Sequence, residues 1–279
     1  AAKAGGKPGE TAKAAHTAKA GAKPGAAASG DVAYNAPKAP EALRGLKWDE
    51  LPGALAEADD VKVALEGTPR APVTIYTAER ATEDAFKATR APRILHLATH
   101  GFFIPERELT PEERAQCLAS GPDQQLDLET GMGRGIERLR CAENPLLRSG
   151  IVLAGANAVG ASNATEDGWV LAEEIATLDL AGTELVVLSA CETGLGDVKT
   201  GEGVYGLRRA FELAGAERIL MSLFKVPDSA TRELLAGFYR RLAAGQTAEE
   251  ALRESQLELR TQHPHPFYWA SFVLVGRGR

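Results

Sequence analysis

Two residues able to act together on a carbonyl group close apolar runs. His100 ends Ile94-Leu95-His96-Leu97-Ala98-Thr99-His100, and Cys191 ends Leu185-Val186-Val187-Leu188-Ser189-Ala190-Cys191. Runs of this length, rich in branched apolar residues, predict buried strands. If the strands are parallel neighbours in one sheet, the imidazole and the thiol emerge side by side at the same edge. A cysteine attacks as its thiolate, and a nearby imidazole can take the thiol proton and later hand it to the leaving group. Gly101 follows the histidine with no side chain, so a substrate can approach the backbone there. Its amide, with that of Cys191, could form an oxyanion hole, where losing one donor typically costs about 2.7 to 4 kcal/mol. Plainer roles exist for each residue alone, as a small hydrophobe or a hydrogen-bonded core histidine. Their joint position favours chemistry.

Other candidates are weaker. His96 lies earlier on the strand of His100 and points to the same face, which predicts packing rather than catalysis. His263 and His265, in His263-Pro264-His265-Pro266, precede the last strand and are weighed as a loop near the site. The segment from Gly194 to Gly203 follows a strand and precedes a helix, yet lacks the Gly-Lys-Ser/Thr order of a phosphate-binding loop and the spacing of a dinucleotide fingerprint. A loop bordering the substrate is the better reading. The absence of a Gly-x-Ser-x-Gly elbow argues against a serine hydrolase.

A chain of 279 residues, 44% of them hydrophobic, can bury a full core. Three cysteines are too few and too unevenly spaced for a disulfide framework or a zinc site, so a reducing, cytoplasmic setting is expected. No apolar run approaches the ~18 residues of a membrane span, and no signal peptide is visible, so no membrane association is expected. The net charge of −6 is unevenly spread, with five lysines against one glutamate in the first 30 residues and an acidic remainder. Residues 1–40 read as a disordered Ala/Gly/Lys/Pro linker or tail, containing a near-repeat of Lys3-Ala-Gly-Gly-Lys-Pro-Gly9 in Lys19-Ala-Gly-Ala-Lys-Pro-Gly25. With no arginine, phenylalanine, tyrosine or tryptophan in its first 30 residues, the tail is a poor nucleic-acid binder, and the acidic folded part is expected to bind none.

Residues 41–279 alternate strand and helix signals. Strands are predicted at 73–77, 93–99, 184–190, 218–224 and 272–275. Helices are predicted at 81–89, capped by Thr82, at 168–178, at 204–214, closed by Gly215, at 229–242, and after the Thr247 to Glu250 capping box. Residues 104–149 are less periodic, hold one short helix signal at Thr110-Pro111-Glu112-Glu113, and read as a surface insertion. Alternation of this kind predicts an α/β domain with a mostly parallel sheet covered on both faces, and ligands at the carboxyl ends of its strands.

Several ordered segments resemble a known family. His96-Leu-Ala-Thr-His-Gly-Phe102, Leu185-Val-Val-Leu-Ser-Ala-Cys-Glu-Thr-Gly-Leu-Gly196 and Gly201-Glu-Gly-Val-Tyr-Gly-Leu-Arg-Arg-Ala-Phe-Glu-Leu-Ala-Gly-Ala216 look like the CHAT domain, a bacterial branch of the caspase and separase-like cysteine peptidases. Asn144-Pro-Leu-Leu-Arg-Ser-Gly150 and His265-Pro-Phe-Tyr-Trp-Ala-Ser-Phe272 extend the likeness across roughly residues 50 to 276. The resemblance implies a caspase-like three-layer sandwich, His100 and Cys191 as a catalytic dyad, no metal or organic cofactor, and a protein or peptide substrate. It also implies control by a regulatory sensor protein or domain. One departure stands in Met221-Ser-Leu-Phe-Lys-Val-Pro-Asp228, where Phe224 occupies the position of a frequent tryptophan.

Relatives of this fold divide between acidic and basic side chains before the scissile bond. Glu192, Asp197 and Asp228 follow strands near the expected site, so an anionic pocket preferring Arg or Lys is expected, unless Asp228 merely caps the helix beginning at Ser229. A basic preference would also permit cleavage of the chain's own Arg134, Arg138, Arg140 or Arg148. The alternative to an endopeptidase is a catalytically silent interaction module on the same fold. A nucleotide-binding domain is a third reading, resting only on the glycine-rich segment.

Overall fold

The computed structural model describes residues 47–103, 110–112, 145–157, 167–189, 192–194, 202–224 and 227–276. The two apolar runs form strands β1 (Ile94–Leu97) and β5 (Leu185–Leu188), which pair in parallel from Ile94 opposite Leu185 to Leu97 opposite Leu188. Strand β7 (Arg218–Ser222) lies parallel to β5, and β8 (Phe272–Gly276) closes the far edge antiparallel to β7. The order β1-β5-β7-β8 is thus a mainly parallel sheet.

Successive residues of a strand point to opposite faces, and here both faces are apolar. Val186, Leu188, Ile219 and Met221 pack with Ile175, Leu207 and Phe211, so α3 (Ala172–Ile175) and α4 (Glu202–Leu213) cover one face. Leu185, Val187 and Leu220 pack with Val61, Leu65, Leu234, Phe238 and Leu252, so α1 (Pro52–Leu65), α5 (Asp228–Ala243) and α6 (Ala248–Gln262) cover the other. The caps behave as their residues dictate. The Thr82 hydroxyl accepts the Ala85 amide at 3.2 Å ahead of α2 (Glu83–Lys87), and Thr247 and Glu250 form a reciprocal box before α6. Gly215 ends α4 with φ +107°, a left-handed conformation that suits glycine.

A second sheet, absent from the sequence expectation, continues the first. Its order is β4-β3-β2-β6, built from β2 (His100–Phe103), β3 (Ser149–Val152), β4 (Trp169–Leu171) and β6 (Glu192–Gly194). The pairs β2–β3 and β3–β4 are antiparallel, and β2–β6 is parallel. Its core is Phe102, Val152, Ala156, Trp169 and Leu171, with Trp48 packed against them. Gly150 permits the close approach of these strands, because a β-carbon there would lie 2.3 Å from the Val170 carbonyl oxygen and 2.5 Å from the Phe102 ring.

Four expectations need correction. The helix expected at 168–178 is instead β4 followed by the short α3, because Trp169, Val170 and Leu171 are fully buried and pair with β3. Residues 73–77 form no strand, and none of the described residues pairs with them. His100 does not end the first strand but begins β2, so it sits between two sheets. The surface stretch expected to run to residue 149 gives way before its end, because Arg148 and Ser149 are buried, with the Arg148 guanidinium 5.7 Å over the Phe103 ring. A buried Arg148 is also withdrawn from the set of self-cleavage positions. Pro111 and Glu112 are helical, whereas Arg134, Arg138, Arg140 and the tail over residues 1–40 lie outside the described residues.

Candidate functional site

β1 passes through Ala98 and Thr99 into β2, and on either side of this junction a parallel neighbour lies alongside, β5 beside β1 and β6 beside β2. The Ser189 amide donates to the Leu97 carbonyl at 2.9 Å, extending the β1–β5 ladder by one step. On the far side, Gly101 pairs with Glu192 and Phe103 with Gly194. The Thr99 hydroxyl donates to the Val152 carbonyl and ties the junction to β3.

His100 is half-buried and held from the side of α1. Its Nε2 lies 2.8 Å from the Asp49 carbonyl oxygen, and the Trp48 ring sits against it with centroids 5.1 Å apart. A carbonyl oxygen can only accept, so Nε2 carries a proton and, in the neutral ring, Nδ1 holds the lone pair. The imidazole is thereby fixed in the tautomer that makes Nδ1 the basic atom. Trp48 is itself anchored: its amide donates to Asn157 Oδ1 at 2.9 Å, and Asn157 Nδ2 donates to its carbonyl at 2.8 Å. Its ring meets Trp169 edge-on at 5.5 Å, and Trp169 meets Phe102 at 5.2 Å. An aromatic ladder thus runs from the core of the second sheet to the His100 ring.

His96 is more than a packing residue. Its Nδ1 is 2.7 Å from the Tyr239 hydroxyl and its Nε2 is 2.7 Å from Glu57 Oε1, while the Ser189 hydroxyl donates to Glu57 Oε2 at 3.0 Å. Burial, with the Glu57 charge adding to it, pushes the Tyr239 phenol well above its ordinary range, so the phenol stays protonated and donates to His96 Nδ1. With Nδ1 accepting, the single N–H of the neutral His96 ring is at Nε2 and donates to the Glu57 carboxylate. Ser189 gives its proton to Glu57 and not to His96, so these residues are not a serine triad.

The other candidates are placed unequally. Cys191, Asp197, Cys117 and Cys141 lie outside the described residues; Glu192 is described through its strand alone. Asp228 does not cap a helix from the preceding position. It is the exposed first residue of α5, with Pro227 in the cap position, and its side chain lies against Gly53 at the start of α1. Gly53 follows Asp49 by four residues, so Asp228 borders the segment that brackets His100. Phe224 stacks on Phe267 with centroids 5.8 Å apart and planes 18° apart, both rings partly exposed. His265 accepts the Phe267 amide at 3.2 Å and caps α7 (Pro266–Trp269), and His263 faces Glu233 at 3.6 Å and the Tyr268 ring at 5.0 Å. Among the described residues no group of three or more His, Cys, Asp or Glu could hold a metal ion, and no helix is long and apolar enough to cross a membrane.

Sequence reasoning missed Trp48, Asp49, Glu57 and Tyr239. Glu57 left a readable trace, because Glu57, Val61 and Leu65 share the buried stripe of α1 at helical spacing, and a carboxylate on an apolar stripe needs a partner. Asp49 acts through its backbone, so its side chain carried no signal.

Comparison with known proteins gives a family and distant kin. The family model described as CHAT domain matches residues 8–277. Tetratricopeptide repeat protein 28 of Homo sapiens is 38% identical over 95 residues, covering 33% of this chain and 4% of that protein. Its Mus musculus counterpart is 37% identical over 102 residues, covering 36% of this chain and 4% of that protein. The matched stretch is therefore a small fraction of either mammalian relative.

Proposed function

We propose, from the premise that the chain belongs to the CHAT domain family, that it is a caspase-like cysteine endopeptidase working through Cys191 and His100. The observation that carries this reading is the parallel pairing of Gly101 with Glu192. Those residues directly follow His100 and Cys191 in the chain. In this reading His100 Nδ1 accepts the thiol proton and the Cys191 thiolate attacks the scissile carbonyl. The tetrahedral intermediate collapses to a thioester as the imidazolium protonates the departing amine. Water, deprotonated at Nδ1, then hydrolyses the thioester and returns the thiol. Gly101 and the Cys191 amide are the oxyanion donors of this reading, and no metal or organic cofactor is needed.

The substrate is a protein or peptide, and an anionic pocket of Glu192, Asp197 and Asp228 favours Arg or Lys before the scissile bond. Control by an upstream sensor is supported by the name of the mammalian relatives, which are tetratricopeptide repeat proteins. A cytoplasmic setting suits a free catalytic thiol.

The test is cleavage of fluorogenic peptides that differ only in the residue before the scissile bond. Cleavage after Arg or Lys, abolished in Cys191→Ala and reduced in Asp228→Asn, is the expected result. A preference for Asp would remove the basic pocket, and binding of a partner without cleavage of any peptide would leave the silent interaction module.

A further inference from the structure

The buried Glu57 carboxylate touches both strands that lead into the junction of the sheets. One oxygen holds His96 on β1, four residues before His100; the other holds Ser189, at the carboxyl end of β5. Glu57 is 6% exposed and Tyr239, which closes the network from α5, is fully buried. The helix that carries Glu57 is the one whose approach segment supplies Trp48 and the Asp49 carbonyl to the His100 ring. His100 is thus held twice, through His96 on the strand that leads into β2 and at its ring through Asp49. Glu57 is where those two holds meet.

We infer that Glu57 is a positioning residue for His100. By fixing α1 against β1 and β5, it sets the height of the Asp49 carbonyl relative to the His100 ring, and so keeps the proton on Nε2 and the lone pair on Nδ1. A buried carboxylate with both oxygens bonded has a rigid geometry, and removing one acceptor leaves a donor without a partner. A helix anchored less firmly there would let Asp49 drift from the 2.8 Å contact. The catalytic part of the consequence rests on the peptidase reading; the tautomer part does not.

The test uses nitrogen-15 labelling of histidine in the full chain, with the His100 ring signals assigned by comparison with His100→Gln. Wild type is expected to show the Nε2-protonated tautomer of His100 at neutral pH. Glu57→Gln, which keeps the volume and one acceptor, is expected to give a mixture of tautomers and a tenfold lower kcat with KM unchanged. Ser189→Ala, which deletes one hydrogen bond at a partly buried site, is expected to move both readouts in the same direction and serves as the deciding variant if Glu57→Gln does not fold. A role confined to stability would lower the melting temperature and leave the tautomer intact. An unchanged tautomer in folded Glu57→Gln, or in Ser189→Ala where Glu57→Gln is unfolded, overturns the inference. A tautomer shifted in the variants, with a wild type that cleaves nothing, keeps the inference and removes the peptidase reading.

Discussion

Gly101 and Glu192 face each other as the first paired residues of two parallel strands, β2 and β6. Each is the direct chain successor of a residue capable of chemistry. Parallel strands advance together at ~3.3 Å per residue, so this pairing sets two segments 91 positions apart in sequence in register from Gly101 and Glu192 onward. The β1–β5 ladder supplies the same parallel alignment before the junction, from Ile94 and Leu185 onward.

The Trp48 ring should matter to the His100 imidazole without touching substrate affinity. Trp48→Ala removes the ring contact with His100 and loosens the segment carrying the Asp49 carbonyl. We expect a fall in kcat of about tenfold, equivalent to ~1.4 kcal/mol of barrier, with KM unchanged. Steady-state kinetics on a cleaved peptide checks it. A rise in KM with kcat intact would assign Trp48 to binding instead.

Gly150 should tolerate no side chain. In Gly150→Ala the new methyl group would meet the Val170 carbonyl and the Phe102 ring at distances that force β3 away from β4. Overpacking of a tight core typically costs about 1–3 kcal/mol, and urea unfolding should show a loss of at least that size. Equal stability would mean that the second sheet gives way more easily than its buried core indicates.

The ion pair between α1 and α5 should make stability pH-dependent on the acid side. Arg232 grips Asp60 with two hydrogen bonds, at 2.6 and 3.2 Å, and holds its carboxyl below the ordinary aspartate range. A depressed folded-state pKa contributes stability above the unfolded-state value, and that contribution is lost as pH falls through the folded-state value. Both side chains are partly exposed, so the effect is small. Carboxyl titration by NMR should show the Asp60 midpoint rising in Arg232→Gln, and the stability gap between variant and wild type should close as pH falls. A midpoint unmoved by the substitution would show that the arginine is not its cause.

Much of the first sheet was legible because its signals are local. Apolar runs at β1, β5 and β7, the Thr82 cap and the Thr247 box each report on their own few residues. The second sheet was not legible for a physical reason. Its strands are three or four residues long, and β4 hides in a stretch where Trp169, Val170 and Leu171 run straight into a helical turn. Their strand character comes from pairing with β3, a tertiary effect that no local pattern carries. The site divides in the same way. His100 stood out by residue type at a strand end, but what fixes its tautomer is a backbone carbonyl, and every residue has one. Glu57 stood on a readable stripe, yet its partners come from β1 and from the end of β5, far away in sequence.

The reactivity of Cys191 toward a small electrophile tests the central claim most directly. The 279-residue chain is treated with limiting iodoacetamide across pH, and labelling of each cysteine is followed by peptide mass spectrometry. The account predicts that Cys191 reacts at neutral pH at least tenfold faster than Cys117 or Cys141, with a midpoint below the ~8.5 of an ordinary thiol, and that His100→Ala abolishes this advantage. A Cys191 that labels no faster than the other two, or one whose rate and midpoint survive the loss of His100, would contradict it.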